Sequence, residues 1–321
     1  MKKLVTALAA AVALAGFAGV QAQTFPARPL RLIVPYPAGG TTDLMARALQ
    51  EPMQRALGQP LIIENKPGAS GVLAAREVAR AAPDGHTLFF INSGNVAVTP
   101  YVVKDAGYDV KSFAPVAMVS SSPLFMVVPA DVKAGDVRSF IDYAKQQRDP
   151  LPYASAGVGS FGHLASELFG KTAGIRLTHV PYKGQAPTTN AVVAGEVKLL
   201  ITTASSTMKD FIGNGRLRLL GVTSAEPSPL APGAPVVAAA LPGYVAEVWF
   251  AVLSTAGTPP EVVRRLNEVI TAALEQPEMQ QRFRNFGVDA RTSTPQKLGE
   301  LMAQDVARWA PVIRENNIQS D

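Results

Sequence analysis

The stretch Leu30-Arg31-Leu32-Ile33-Val34-Pro35-Tyr36-Pro37-Ala38-Gly39-Gly40-Thr41-Thr42-Asp43 carries the reading of the whole chain. Leu30–Val34 is a short apolar run, the length of a buried strand. Residues 35–40 hold two prolines and two glycines, which continue neither a strand nor a helix and therefore make a turn. Thr41 or Thr42 is expected to cap a helix, because Leu44, Met45, Ala48, Leu49, Met53, Ala56 and Leu57 keep helical spacing. Pro52 lies inside that pattern and is expected to kink it. Residues 61–63 form the next strand, 64–68 a loop, 72–82 a helix and 87–91 a third strand. Strands alternating with helices predict an α/β fold with parallel pairing and right-handed crossovers.

The plan returns about 115 residues later. Residues 153–155 read as a strand, 157–160 as a glycine-rich turn and 163–169 as a helix. Val180-Pro181-Tyr182-Lys183-Gly184 stands where the first unit has Glu64-Asn65-Lys66-Pro67-Gly68, and Leu199-Leu200-Ile201 matches Leu88-Phe89-Phe90. Two similar lobes are expected, each an open sheet flanked by helices. Strands over 113–119 and 124–128 supply a first crossing between them, and a strand over 248–254 a second. Residues 226–243, rich in Pro and Ala, read as an irregular connection. Thr258-Pro259-Pro260-Glu261 has a capping-box arrangement with Pro at the first helical position. Helices over Pro277–Asn285 and 295–314 close the chain. The boundaries that follow are 1–22 for a leader, 23–124 with 244–321 for the first lobe, and 125–243 for the second.

The leader follows from Lys2 and Lys3, the uncharged run over 4–20, and the small-residue site Val20-Gln21-Ala22, cut after Ala22. The run is too short and Ala-rich to favour a retained anchor. The chain of 321 residues carries 30 Lys+Arg against 25 Asp+Glu, a net +5 that falls to +3 without Lys2 and Lys3. That surplus is too small to point to nucleic acid. Hydrophobic residues at 47% supply two cores and argue against disorder. Absence of Cys removes thiolate catalysis, metal–sulfur sites and lipid anchoring through Cys.

Chemistry-bearing motifs are few. In the first turn two glycines let backbone N–H groups converge at a helix N-terminus, a setting that holds carboxylate or phosphate without Arg. Gly157, Gly159 and Gly162 match a dinucleotide fingerprint, but the acid that belongs about twenty residues on is missing from His179-Val180-Pro181-Tyr182-Lys183, so a second anion-binding turn fits better. Ala154-Ser155-Ala156-Gly157 has Tyr153 where a nucleophile elbow needs Gly. Ser160 and His163 are too close in sequence to build a triad unaided. His163 and Glu167 are spaced to share a metal, yet three His without HExxH make a pocket-edge pair the simpler reading. No catalytic residue, metal or cofactor is assigned. Tyr36 is read as a pocket wall, Lys183 as a rim residue, and Asp43 as serving its own helix rather than an anion beside it.

In this order and spacing, 34–43, Glu64-Asn65-Lys66-Pro67-Gly68-Ala69, Pro83-Asp84-Gly85, Tyr153-Ala154-Ser155, Gly157-Val158-Gly159-Ser160, His163-Leu164-Ala165 and 179–184 are specific. The chain resembles the Bug-type solute-binding proteins of tripartite tricarboxylate transporters over essentially its whole mature length. The resemblance implies a type II-like periplasmic-binding-protein fold that closes as a flytrap over a small carboxylate in the cleft between lobes. It further implies a periplasmic monomer that is not an enzyme. Its partner would be a tripartite tricarboxylate permease or, alternatively, a sensor kinase; an exported enzyme acting on carboxylic acids is the more distant alternative. Carried over by position, the ligand contacts are Tyr36, Ala38, Gly39, Gly40, Thr41 and Thr42 in the first turn and Ser155, Ala156, Gly157, Gly159 and Ser160 in the second, with Ser93 as a third contributor. Asn190 stands where the family often has Asp, so side-chain specificity is this chain's own.

Overall fold

Leu30–Val34 forms β1 in the structure, a computed structural model that describes residues 25–319. The leader read over residues 1–22 lies outside the described residues. Next come α1 (Thr41–Leu57), β2 (Leu61–Asn65), α2 (Val72–Ala79) and β3 (Thr87–Asn92). Short helices α3 (Gly94–Ala97) and α4 (Thr99–Val102) lead to the long β4 (Phe113–Pro129). The second lobe holds α5 (Val137–Lys145), β5 (Leu151–Ser155), α6 (Phe161–Ala173), β6 (Leu177–Pro181) and α7 (Gln185–Val193). It continues with β7 (Leu199–Thr203), α8 (Ser206–Gly213), β8 (Leu217–Val222) and α9 (Val237–Ala240). The chain then returns through β9 (Glu247–Thr255), α10 (Pro260–Leu274), α11 (Pro277–Asn285), β10 (Asp289–Ala290) and α12 (Pro295–Glu315).

The repeat is real in topology. β1 pairs in parallel with β2 and β3, and β5 pairs in parallel with β6 and β7. The matching strand starts, Leu30/Leu151, Leu61/Leu177 and Thr87/Leu199, lie 121, 116 and 112 residues apart. Parallel pairing does not extend to the crossings: β9 is antiparallel to β3 and β4, and β4 is antiparallel to β7 and β8. A strand that leaves one sheet and a strand that returns to it run in opposite directions, so they meet antiparallel.

The two strands expected over 113–119 and 124–128 are one. Ser120, Ser121 and Ser122 do not interrupt β4, because their backbones pair with Phe250, Trp249 and Val248 of β9. The partner changes at Pro123: Pro123 still faces Glu247, whereas Leu124 faces Thr203 of β7. Proline lacks an N–H, so a ladder can change hands there without orphaning a donor.

Helix ends differ from the expectation in their caps. The N-cap of α1 is Gly40, and neither Thr41 nor Thr42 caps it. The helix also runs through Pro52 to Leu57, ending at left-handed Gly58. At α10, Pro260 takes the first helical position, but the Thr258 hydroxyl donates to Thr255 O (2.7 Å), so the capping box does not form. Helix α6 starts earlier than residue 163, at Phe161, with Ser160 as its N-cap.

Strand alternation splits each sheet into two buried faces. Leu32 and Phe90 join a core that continues through Met126 and Tyr244 to Phe140 and Phe169 of the second lobe. Ile33, Phe89 and Trp249 face a core confined to the first lobe, and Phe125, Ala154 and Leu200 one confined to the second. At the crossings, buried Thr223 bonds both strands: its N–H donates to Leu124 O (3.0 Å), and its carbonyl accepts from Ala246 N–H (2.9 Å). Helix α12 packs on β4, α3 and α6, with Lys171 of α6 paired to Glu315 at 2.5 Å. Among the described residues no helix is long and apolar enough to cross a membrane.

Candidate ligand-binding site

The first turn is held by Asp43. Its Oδ2 accepts from Gly39 N–H (2.8 Å) and from Arg47 Nε (2.9 Å), and its Oδ1 accepts from Asn65 Nδ2 (2.9 Å). Asn65 Nδ2 also donates to Tyr36 O (3.1 Å), so the turn is fastened to β2 as well. Burial alone would raise the Asp43 carboxyl, but Arg47, the Gly39 amide and Asn65 outweigh it and hold the group below the usual range. The Gly39 amide is therefore already used. Thr41, Thr42 and Asp43 still lead the helix, because the first intrahelical bond is Leu44 N–H to Gly40 O (2.9 Å).

The second turn is built the same way. Ser155 Oγ accepts from Gly157 N–H (3.2 Å), and His163 Nδ1 accepts from Gly159 N–H (3.1 Å). Ser160 donates to Gly157 O through its N–H (3.2 Å) and its hydroxyl (2.8 Å). Phe161 and Gly162 remain at the open end of α6, whose first intrahelical bond is Leu164 N–H to Ser160 O (3.1 Å). A Cβ on Gly162 would lie 2.5 Å from Ile201 O, so only glycine lets this helix end approach β7.

Beneath the turn, His163 and His179 stack with ring centroids 3.8 Å apart, and Tyr153 stacks on His179 at 5.1 Å. Tyr153 donates to Glu167 Oε1 (2.5 Å); burial first, then Glu167, push this phenol far above its ordinary range. Burial and then the neighbouring His179 push the His163 imidazole down to about 4, which keeps Nδ1 free to accept. His163 and Glu167 thus serve the turn and Tyr153. Among the described residues, no group of three His, Cys, Asp or Glu is placed to hold a metal.

Between the turns lies a cleft of about 390 Å³. Of the twelve contacts expected, Tyr36, Gly159 and Ser160 line it. Ala38, Gly39, Gly40 and Thr41 are exposed beyond Pro37, and Thr42 is buried. Ala156 is exposed, Gly157 half-buried and Ser155 buried. Ser93 does not open onto the cleft: its N–H donates to Trp249 O (2.8 Å), and its buried Oγ has no partner among the described residues. The α3 N-terminus instead turns Asn92, Gly94 and Asn95 to the cleft. Lys183 is exposed and makes no ion pair among the described residues.

Sequence reading places Asn95 beside Ser93 in the loop after the third strand without counting it as a contact, and it misses Thr99 and Phe161. Asn95 Oδ1 accepts from Tyr36 OH (3.0 Å) and Asn92 N–H (3.1 Å), and Tyr108 OH donates to Asn95 O (2.7 Å). Burial, opposed by those amide contacts, pushes the Tyr36 phenol up to about 12. Gly71 (φ +87°) permits the arrangement, since a Cβ there would fall 2.6 Å from Asn95 Nδ2. Phe161 reaches across the lobes: its ring lies 3.1 Å from a Cβ placed on Gly94 and stands edge-on to Trp309 at 6.3 Å. Gly68 and Gly71, which flank residues 69–70, were the one signal available for this corner.

Ser155 Oγ lies 2.6 Å from His179 Nε2, but it also contacts the Gly157 backbone and is buried, and among the described residues no carboxylate bonds His179. The pair organises the turn. Lining the cleft are the side-chain amides of Asn92 and Asn95, hydroxyls, glycines and apolar groups.

The sequence matches the profile of the Tripartite tricarboxylate transporter family receptor, TctC, over residues 45–318. It is 34% identical to protein BugT of Bordetella pertussis across 98% of both chains. An unliganded TctC solute-binding protein from Polaromonas superposes with a TM-score of 0.83 at 27% identity, covering 91% of this chain and all of the other. Rpa4515 of R. palustris, solved with adipate, gives 0.71 at 34% identity over 92% and 99% of the two chains. MatC of Rhodopseudomonas palustris, with bound malate, gives 0.68 at 30% over 90% and 100%. With the profile spanning most of its length and both lobes reproduced in these receptors, the chain belongs to the TctC, or Bug-type, family of tripartite tricarboxylate transporter receptors.

Proposed function

We propose that this chain is a periplasmic, monomeric receptor that captures a small carboxylate between its lobes and delivers it to a permease of the tripartite tricarboxylate type. One observation carries the reading: two glycine turns, each leading into a helix whose first amides make no bond among the described residues, flank a cleft. A charge-assisted bond from N–H to carboxylate contributes about 1.5–3 kcal/mol. Donors from both lobes meet one ligand only when the cleft shuts, so the ligand favours the shut form through contacts absent from the open one.

The moving bodies are residues 23–124 with 244–321 and residues 125–243, hinged at Pro123–Leu124 and Thr223–Ala246. The comparisons support that motion. The unliganded Polaromonas receptor superposes better than adipate-bound Rpa4515 despite lower identity, as expected if ligand rotates the lobes. The neighbours' adipate and malate support a carboxylate here. The donors proposed are the amides within 36–42 and 155–160 that the turns themselves leave open, those of Gly39, Gly157, Gly159 and Ser160 being engaged, with the leader over residues 1–22 providing export.

Thermal-shift measurement against a panel of mono-, di- and tricarboxylates tests the reading, because a ligand that binds only the folded state raises its melting temperature. Stabilisation by at least one acid, recovered unchanged, is expected. A melting temperature unmoved by every acid, or chemical conversion of the bound acid, would overturn it.

A further inference from the structure

Among the described residues, those lining the cleft include no Lys, Arg, Asp or Glu. Of the cations in the adjoining segments, Lys104 and Lys183 are exposed and outside the lining, and the others are engaged elsewhere. Lys66 Nζ pairs with Glu77 (2.5 Å) and Glu64 (3.4 Å), Arg47 with Asp43 (2.9 Å), and Arg76 Nε with Ala106 O (2.7 Å). Asp43 is the acid of the first turn, and it is enclosed by Gly39, Arg47 and Asn65. A ligand ammonium entering the cleft meets no counter-ion, and a third carboxylate meets no cation; each would give up water without a partner.

The walls are apolar from both sides. Val98 and Val102 belong to the first lobe, Val158 and Phe161 to the second. Val102 Cγ2 lies 3.8 Å from the position of a Cβ on Gly159, so the walls already face each other across the mouth. Val158 is 49% exposed, a branched hydrocarbon held in water between Gly157 and Gly159. One buried polar group remains open. Asn95 is 1% exposed and its Oδ1 is fully engaged, while its Nδ2 makes no hydrogen bond among the described residues.

Resting on the receptor reading, we propose that the cleft selects carboxylic acids with a plain hydrocarbon body, aliphatic or aromatic, and rejects amino acids and tricarboxylates. Asn95 Nδ2 donates to a carboxylate, and Val98, Val102, Val158 and Phe161 cover the body. The body then leaves water against a surface that also leaves water, while the charge stays at the donors.

Calorimetric titration of the purified receptor with adipate, benzoate, 2-aminoadipate and citrate tests this. Adipate or benzoate is expected to bind at least tenfold more tightly than 2-aminoadipate, and citrate to give no heat. If 2-aminoadipate or citrate matches the best hydrocarbon acid, the selectivity is overturned and the receptor reading stands. If no acid binds here or in the wider panel, both fall. Val158→Asp, at an exposed position that spares the fold, is expected to weaken adipate at least tenfold and to strengthen 2-aminoadipate. Unchanged affinity for both would remove the wall from the site. Asn95→Asp, close to isosteric, is expected to weaken adipate at least tenfold at a preserved melting temperature; full affinity would overturn the donor role.

Discussion

The imidazoles of His163 and His179 lie face to face, 3.8 Å between centroids and 12° from parallel, directly under the second glycine turn. Two stacked rings at this distance cannot both carry a proton cheaply. One of them must accept the Gly159 amide through Nδ1 to hold the turn (3.1 Å).

Acid should therefore loosen the second lobe. The His163 imidazole sits at about 4 in the fold, against an ordinary 6.5. The unfolded chain binds the proton first, so stability is complete above pH 6.5 and declines as pH falls toward 4. The loss is about 2–3 kcal/mol at the lower end. Melting curves from pH 7.5 to 4 should show this decline in the wild type and a flatter one in His163→Gln. Glu64, which Arg31 holds down at about 2, begins to give way only at the acid end of this window, as pH falls through 4.5, and does so in wild type and variant alike. An unchanged slope in the variant would separate His163 from the effect.

Thr223 joins the two crossings through its hydroxyl as well as its backbone. Oγ1 accepts from Leu124 N–H (2.8 Å) and donates to Ala246 O. Thr223→Val keeps the shape and strands a buried donor and acceptor, each worth about 1–3 kcal/mol. Urea denaturation should show a loss of roughly 2–4 kcal/mol. A loss below about 0.5 kcal/mol would mean that the hydroxyl is not a hinge fastener.

Gly40 and Gly71 separate binding from folding. Gly40 is extended (φ −76°, ψ 164°), and a Cβ there meets only Pro37 O at 3.7 Å, so Gly40→Val should melt within a degree or two of the wild type while losing most of its ligand-induced shift. Gly71→Ala adds a Cβ at positive φ and against Asn95, and should lower both stability, by about 1–3 kcal/mol, and binding. Retained binding in Gly40→Val would remove the first turn from the site.

Of the two tryptophans, Trp249 is sealed within the first lobe, its indole donating to Asp305 Oδ2 (2.7 Å), whereas Trp309 touches Phe161 of the second. Lobe closure should change the emission of Trp309 and leave that of Trp249 nearly constant. Ligand titration of Trp249→Phe and Trp309→Phe reads this directly; the reverse pattern would place the motion elsewhere.

Much of the fold is legible in residue order. Leu30–Val34 and the helical spacing from Leu44 to Leu57 fix an element pair, and the same signals from Tyr153 onward fix its repeat, because periodicity and Pro/Gly chemistry act within a few residues. Family membership was legible for the same reason, since its marks are short turns at set intervals. The site was legible only in outline. Glycines announce converging amides, but not that Asp43, Ser155 and His163 have already engaged those of Gly39, Gly157 and Gly159.

Sequence by itself determined the strand–turn–helix units around the two turns and the twofold plan they share. Tertiary structure alone decided that β4 is one strand shared by two sheets and that Thr223 fastens Leu124 from 99 residues away. It also decided that Asn95 is the buried amide left facing the cleft, while neighbouring Ser93 is turned inward. Local propensity chooses an element; which group ends up paired, and which stays open, depends on residues that only folding brings within 3 Å.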